Sequence, residues 1–334
     1  MKVEERIGAF HRLGVLLEEL SNDEIQSLAL SARLENPWFT GVNVRMAVSS
    51  LKKLLILDEL RKWTSVYNFD TPSKKIAVVM AGNIPMVGFH DFLSVLISGH
   101  SILMKCSSKD SVLIKFLVNK LIEIEPRFQH KIEYGEQLKG FDAIIATGSD
   151  NTSRYFEYYF GKYPNIIRKN RTSVAILNGD ENDAELKTLG ADVFSYFGLG
   201  CRNVSKLFVP EGYPVENFLK NWESFHDIIH HHKYCNNYDY QKSILLVTRT
   251  PFLDNGFVML QENQRLVSPI AVVYYEFYKD KGELHDTLTR IQEKIQCVVE
   301  NSDESKLKFG QAQFPALGDY ADQIDTLKFL TELN

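Results

Sequence analysis

A change of hydrophobic period near residue 75 constrains this chain more than any other feature. Before it, IGAFHRLGVLLEEL and VRMAVSSLKKLLILDELRKW carry apolar residues at three-and-four spacing, with Ser21-Asn22-Asp23 punctuating between them. Residues 1 to about 64 are therefore predicted to be helical. After the loop FDTPSKK the pattern becomes strand, turn, helix. KIAVVMAG precedes HDFLSVLISG, SILMKCS precedes DSVLIKFLVNKLIEI, and FDAIIATG precedes DNTSRYFEYYFG. Short, continuous apolar strands alternating with amphipathic helices predict a parallel sheet covered on both faces. A second set begins near residue 173 with TSVAILNG, a helix over AELKTLGADVFSYF and the strand SKLFVP. SILLVTR and IAVVYYEFY are expected as further strands. The fold class is α/β, in two lobes with a boundary near residues 170–175 and a helical N-terminal extension.

Composition narrows the function. An apolar content of 44% and a charged content of 24% are those of a globular protein. A net charge of -5, with no Lys/Arg block, gives no electrostatic reason to expect nucleic acid as a partner. The opening MKVEERIGAFHRLG lacks the apolar core of a signal peptide. No stretch reaches the roughly 18 uninterrupted apolar residues of a membrane span. The expectation is a cytoplasmic protein whose cysteines (Cys106, Cys201, Cys235 and Cys297) are thiols. No Cys or His pair has zinc-ligand spacing, so no metal is expected.

Four constellations could carry chemistry. In YFGLGCRNVSKLFVP a helix ends in Gly198-Leu199-Gly200, then Cys201 appears, then a strand begins. Two glycines permit a tight turn and close approach of a ligand, so a thiol here suits a nucleophile with its own amide at an oxyanion. A buried thiol filling a helix–strand junction is the plain alternative. In VVMAGNIPMVGFHDF the strand ends at Ala81-Gly82-Asn83, where an Asn amide could donate to an oxyanion or could simply serve its turn. In IIATGSDNTSR, Gly148 and Ser149, with Ser149 or Asp150 near the cap, open a helix whose N-terminus suits a phosphate. Lys105 leaves a strand in ILMKCSSKD, where by itself it is a solvated lysine. His230-His231-His232 is predicted to be a surface loop, because consecutive residues share no face. His90 and Asp91 are expected on a helix face.

In this order the pieces resemble the aldehyde dehydrogenase superfamily. Asn83 stands in its Pro-Trp-Asn turn, MKCSSKD in its Lys-Pro-Ser-Glu segment, ATGS in its Thr-Gly-Ser loop and GLGCRNVSKLFV in its nucleophile segment. The nearer resemblance is to the long-chain acyl-CoA reductases of bacterial bioluminescence systems. AGNIPMVGFHDFLSVLISGHSILMKCSSKDS, YFGLGCRNVSKLFVP and FGQAQFPALGDYADQIDTLKFL are similar to theirs, and the likeness spans most of residues 70–334.

That resemblance implies an aldehyde dehydrogenase-like fold. A helical region, 1–64, would pack on a Rossmann-like NAD(P)-binding lobe, 65–172. A catalytic lobe, 173–305, would carry Cys201. A tail, 306–334, would return to the cofactor lobe or to an oligomer interface. It also implies reduction of a long-chain acyl-CoA thioester to an aldehyde through a Cys201 acyl-enzyme, with Asn83 at the oxyanion. Lys105 and Ser108 would lie at the adenosine ribose, and Gly148 and Ser149 at the pyrophosphate. Arg168 stands where aldehyde oxidisers place a Glu base, which favours the reductive direction. Arg265 replaces the Glu that usually binds the nicotinamide ribose. The chain is shorter than typical members and lacks their oligomerisation hairpin. Ser108 where an acidic residue is usual, with Lys109 beside it, points to NADPH, with NADH possible. Expected partners are an acyl-CoA or acyl-protein substrate, an acyl-protein synthetase-like protein and further copies of the chain, without nucleic acid or a membrane span. The alternatives are an acyl-phosphate reductase of semialdehyde type and a non-catalytic scaffold for an acyl-activating partner.

Overall fold

The computed structural model describes residues 1–303 and 305–333, with the side chain of residue 150 left aside. The chain divides into two compact units, Met1–Asn170 with Pro315–Asn334, and Arg171–Phe314.

The first unit opens with α1 (Val3–Glu19), α2 (Asn22–Glu35), α3 (Gly41–Leu54) and α4 (Leu57–Thr64), the helices expected from the spacing. Ser21 caps α2 in a reciprocal pair with Glu24, so the polar triplet is a helix start. On α1 the stripe Ile7, Phe10, Leu13 and Leu17 is buried. The Phe10 ring meets Phe89, Phe92 and Phe128 edge-on at 5.7–6.5 Å. Close contact of α1 with the end of α3 needs Gly14, where a Cβ would stand 2.7 Å from that of Leu55.

Next come β1 (Lys75–Val79), α5 (Phe89–Ile97), β2 (Ser101–Lys105), α6 (Ser111–Ile124), β3 (Ile132–Tyr134), β4 (Ala143–Thr147), α7 (Asp150–Phe160) and β5 (Asn165–Arg168). The strands form one parallel sheet in the order β3-β2-β1-β4-β5. The central residues of β1 and β4 are buried on alternate faces alike, as the unbroken apolar runs require.

The second unit holds β6 (Thr172–Ile176), α8 (Asp183–Phe194), β7 (Val204–Pro210), α9 (Glu216–Asn221), α10 (His232–Val247), β8 (Leu253–Asp254), β9 (Met259–Glu262), β10 (Val272–Tyr278), α11 (Lys281–Ile291) and β11 (Ile295–Glu300). Its sheet runs β11-β6-β7-β10-β9-β8, parallel except for β8 against β9. After Phe314 the chain rejoins the first unit and ends with α12 (Thr326–Thr331).

Two expectations fail. SILLVTR is not a strand but the last turns of α10 and the residues after it. A short apolar run does not separate strand from helix. Here the buried residues Tyr234, Tyr238 and Leu245 follow the helical repeat, while Leu246 and Val247 face outward. The histidine triplet is not a loop either. His230 ends a 3-10 helix over Glu223–His230 and His232 begins α10.

His90 and Asp91 lie on the first turn of α5, as expected. His90 Nε2 is 2.9 Å from the Leu317 carbonyl oxygen. Asp91 meets the guanidinium of Arg168 at 2.6 Å, with both side chains more than nine-tenths buried, and Thr326 accepts a second bond from Arg168 at 2.9 Å. This pair ties α5, β5 and α12 together. Removing one partner strands a buried charge, so Asp91→Ala should cost roughly 3–5 kcal/mol in urea unfolding. Removing both, as in Asp91→Leu with Arg168→Met, should cost distinctly less.

Candidate active site

In the first sheet β1, β2 and β4 end together, with Val79 level with Lys105 and Ala146. The chain steps outward from β1 to β2 and β3 and then returns to β4 on the other side of β1. That reversal is where a crevice opens beyond the carboxyl ends of parallel strands. Asn83 follows β1, Lys105 ends β2, Ser108 follows it, and Gly148 and Ser149 follow β4, so five of the residues singled out in the sequence share one sheet edge. Asn83, Lys105, Ser108 and Ser149 are exposed.

The turn that carries Asn83 is held from below. Gly82 packs on the Ser107 turn so closely that a Cβ would come within 2.5 Å of Ser107 Oγ. Asn36 donates to the Gly82 carbonyl at 3.1 Å. Met86, at φ 59, donates its amide to Asp110 at 2.8 Å. Asp110 is buried, its other oxygen has no partner, and burial pushes its carboxyl up to about 8. None of this support was visible in the sequence, since Asp110 looks only like a helix start.

Two helix starts meet this edge and differ. At α7, Ser149 is the cap and accepts from Thr152 N at 3.3 Å. A Cβ on Gly148 would come within 2.9 Å of Phe156, so the strand end is bare of side chain by necessity. At α6, Glu35 of α2 occupies the start, accepting from Ser111 N at 2.7 Å, Ser111 Oγ at 2.5 Å and Val112 N at 3.0 Å. Ser108 does not cap α6. Glu35 was not anticipated, because nothing local pairs it with a helix 75 or so residues away.

In the second unit Cys201 is half-buried and sits at the second position of a turn closed by Asn203 N on the Gly200 carbonyl at 3.0 Å. Just ahead, Tyr196, Phe197 and Gly198 have φ of 51, 60 and 76, so two non-glycine residues carry strain of the kind concentrated at functional turns. Asn203 is buried and clamps the turn. Its oxygen accepts from Gly200 N at 2.8 Å, and its amide donates to the Asp192, Val193 and Ser195 carbonyls at the end of α8. Ser173 of β6 donates to the Cys201 carbonyl at 3.0 Å. Asp192 accepts from Gly310 N and Ala312 N at 2.6 and 2.9 Å, and Arg202 donates to the Ala312 carbonyl at 2.5 Å. Burial pushes Asp192 up to about 6. Residues 310–312 are thus part of the support of the Cys201 turn.

Two of the other thiols are raised above the ordinary thiol range. Burial pushes Cys106 up to about 11. Cys235 is also raised, first by desolvation and then by the Asp239 carboxylate. A thiol held protonated is a poor nucleophile. Arg265 is exposed in the loop before β10. His226, Asp227 and His230 bring donor atoms within 4.8 Å of one another, a trio that shares only His230 with the triplet the sequence drew attention to. All three are exposed, without the buried surround that orients metal ligands. Among the described residues no helix is long and apolar enough to cross a membrane.

A family model described as acyl-CoA reductase (LuxC) matches residues 44–216. No curated protein gives a significant match. Among solved structures the chain is similar to aldehyde dehydrogenase 21 from Physcomitrella patens, solved with the product succinate, at 11% identity and a TM-score of 0.64 over 91% of this chain and 74% of that one. It is also similar to NADP-dependent glyceraldehyde-3-phosphate dehydrogenase from Bacillus halodurans, complexed with NADP, at 11% identity and 0.64 over 91% and 75%. A Mycobacterium tuberculosis aldehyde dehydrogenase complexed with NAD+ matches at 12% and 0.64 over 90% and 78%. Identities this low speak for the fold, which is that of the aldehyde dehydrogenases.

Two expectations follow from the supports. Asn203→Ala leaves one amide and three carbonyls short of a partner, and should cost roughly 2–4 kcal/mol in thermal unfolding. It should also slow alkylation of Cys201 by a bulky maleimide relative to iodoacetamide if the turn loses its shape. Asp110 has a folded value, about 8, above the ordinary 3.8. It therefore keeps its proton in the fold where the unfolded chain has lost it, and stability falls as pH rises between those values, at about 1.4 kcal/mol per unit, with no further loss above. Melting wild type and Asp110→Asn at about pH 5 and about pH 9 should show the variant losing less stability over that interval.

Proposed function

The chain belongs to the acyl-CoA reductase (LuxC) family, oxidoreductases acting on acyl thioesters, and from that premise we propose how its residues divide the work. Cys201 attacks the thioester carbonyl. Its own amide and the Asn83 carboxamide donate to the oxyanion as it forms. The carbon–sulfur bond to coenzyme A, or to an acylated protein, breaks, the thiolate leaves, and the acyl group rests on Cys201. A bound nicotinamide dinucleotide supplies a hydride. After the acyl carbon is reduced, the thiohemiacetal on Cys201 collapses to the aldehyde and returns the thiol.

The observation that carries this reading is the Cys201 turn itself. A half-buried thiol is placed there by four bonds from Asn203, a few residues after two left-handed non-glycine residues. The Arg168 position supports the reductive direction. Its guanidinium is buried against Asp91, so no base at that site activates water against the acyl-enzyme.

The residues at the first sheet's edge fit the dinucleotide. Gly148 lets a ligand approach the strand end, Ser149 opens a helix, and Lys105 is exposed at the neighbouring strand. Ser108 is small and neutral, and the Glu35 carboxylate nearby is committed to Ser111 and Val112. With no carboxylate at position 108, Lys105 can pair with a 2′-phosphate, which favours NADPH, with NADH possible. A cytoplasmic location, an acyl-protein synthetase-like partner and assembly into homo-oligomers belong to the same reading.

Incubation with radiolabelled acyl-CoA tests it. Cys201→Ala should lose all covalent acylation while its melting temperature holds, whereas Ser in place of Cys106, Cys235 or Cys297 should retain it. Asn83→Ala should still acylate but turn over roughly 10²–10³-fold more slowly. Label remaining on Cys201→Ala would overturn the assignment.

A further inference from the structure

Asn83 is exposed, so its carboxamide takes its direction chiefly from the backbone beneath it. That backbone is fixed on both sides by side chains from elsewhere in the unit. Just before Asn83, the Gly82 carbonyl accepts from Asn36, a buried residue at the C-terminal end of α2. Three residues after it, Met86 donates its amide to Asp110 at 2.8 Å, and the Val87 amide faces the same carboxyl. Met86 is left-handed, at φ 59, a conformation that a residue with a side chain holds only where its surroundings impose it.

Asp110 reaches this turn by not doing what its place in the chain invites. It is the N-cap of α6, where an Asp ordinarily accepts from the amide two or three residues on. Here its side chain makes no capping bond. Glu35, the last residue of α2, takes over the helix start instead, with one oxygen on Ser111 N and Val112 N and the other on Ser111 Oγ. With the start of α6 satisfied from α2, the Asp110 carboxyl is released toward Met86. The arrangement costs stability, because Oδ1 of Asp110 is buried without a partner. A buried polar group left half-satisfied calls for a use other than stability, and orienting the turn is that use.

We propose that Asp110 and Glu35 are positioning residues for the Asn83 carboxamide, Asp110 by holding the turn and Glu35 by keeping Asp110 off its own helix. Neither acts on the thioester; both act through the turn. The end of α2, in the helical region, thereby helps to set the rate at which the thioester reacts. The proposal rests on Asn83 as oxyanion donor, so its test separates the two.

Steady-state reduction of myristoyl-CoA with NADPH is measured for Asp110→Ala, Glu35→Ala and Asn83→Ala, and for the first two combined with Asn83→Ala. A misplacement of about 1 Å can cost about 10²-fold, so Asp110→Ala should lower kcat by about tenfold or more, with KM for both substrates within about threefold. Glu35→Ala, at a half-buried position, returns the α6 amides to Asp110 and should lower kcat in the same way, by about threefold or more. Asp110→Asn keeps an oxygen for Met86 N and should recover most of the loss. In the Asn83→Ala background neither substitution should slow the enzyme further, because the group they aim is gone, whereas a merely structural loss would persist there. If Asp110→Ala does not fold, Glu35→Ala is read on the same criteria. Unchanged kcat in both variants, or losses that add to that of Asn83→Ala, overturn the proposal, while a slow Asn83→Ala leaves the oxyanion reading standing. Asn83→Ala at full speed overturns both.

Discussion

The Cys201 turn depends on one side-chain amide. A helix ends with carbonyls that its own backbone cannot satisfy, and a buried end must find donors from elsewhere. At the end of α8 those donors come from Asn203, which lies beyond the very turn that α8 leads into. Because the same residue also accepts from Gly200, closing the helix and shaping the turn are a single act. The left-handed residues 196–198 can persist because both ends of the segment are over-determined. β7 then inherits a fixed starting point, and with it residues 263–266, whose carbonyls accept from Lys206 and Ser205.

The first unit uses the same economy at its sheet edge. Buried polar groups there are few, and each joins elements far apart in sequence: Asp110 to the β1–α5 turn, Glu35 to the start of α6, Arg168 to α5 and α12. An apolar core would hold the layers together as well, but it would not orient a turn. Short-range order at the edge comes from these polar ties, and bulk stability comes from contacts such as Phe10 among its three aromatic neighbours.

How much of this was legible in the chain depends on the range of the cause. The run KIAVVMAG reads as a buried strand because its apolarity is local, and α1 reads as a helix for the same reason. The glycines around Cys201 and the Asn after β1 announce the turns that the structure places there. The family match and the fold agree with the resemblance drawn from those segments. SILLVTR misled because four apolar residues in a row fit either element, and only the tertiary layer beneath α10 decides between them. Asn203, Asp110 and Glu35 could not be picked out, since their partners are backbone groups brought near only by folding. Arg168 was noticed for what it replaced, while its pairing with Asp91, 77 residues earlier, was invisible.

The ties from Asp192 and Arg202 to residues 310–312 also bear on the order in which the protein can become itself on the ribosome. These contacts span 110 to 120 residues. At synthesis rates of about 5–20 residues per second, Cys201 is made several seconds or more before the segment that braces its turn. Through that interval β6, α8 and β7 can form and pair, but the thiol stands on an unbraced turn. Completion of the surroundings of Cys201 is therefore a late event, coupled to release of the last part of the second unit. The Cys201 turn reaches its final form only once residues 310–312 have left the tunnel.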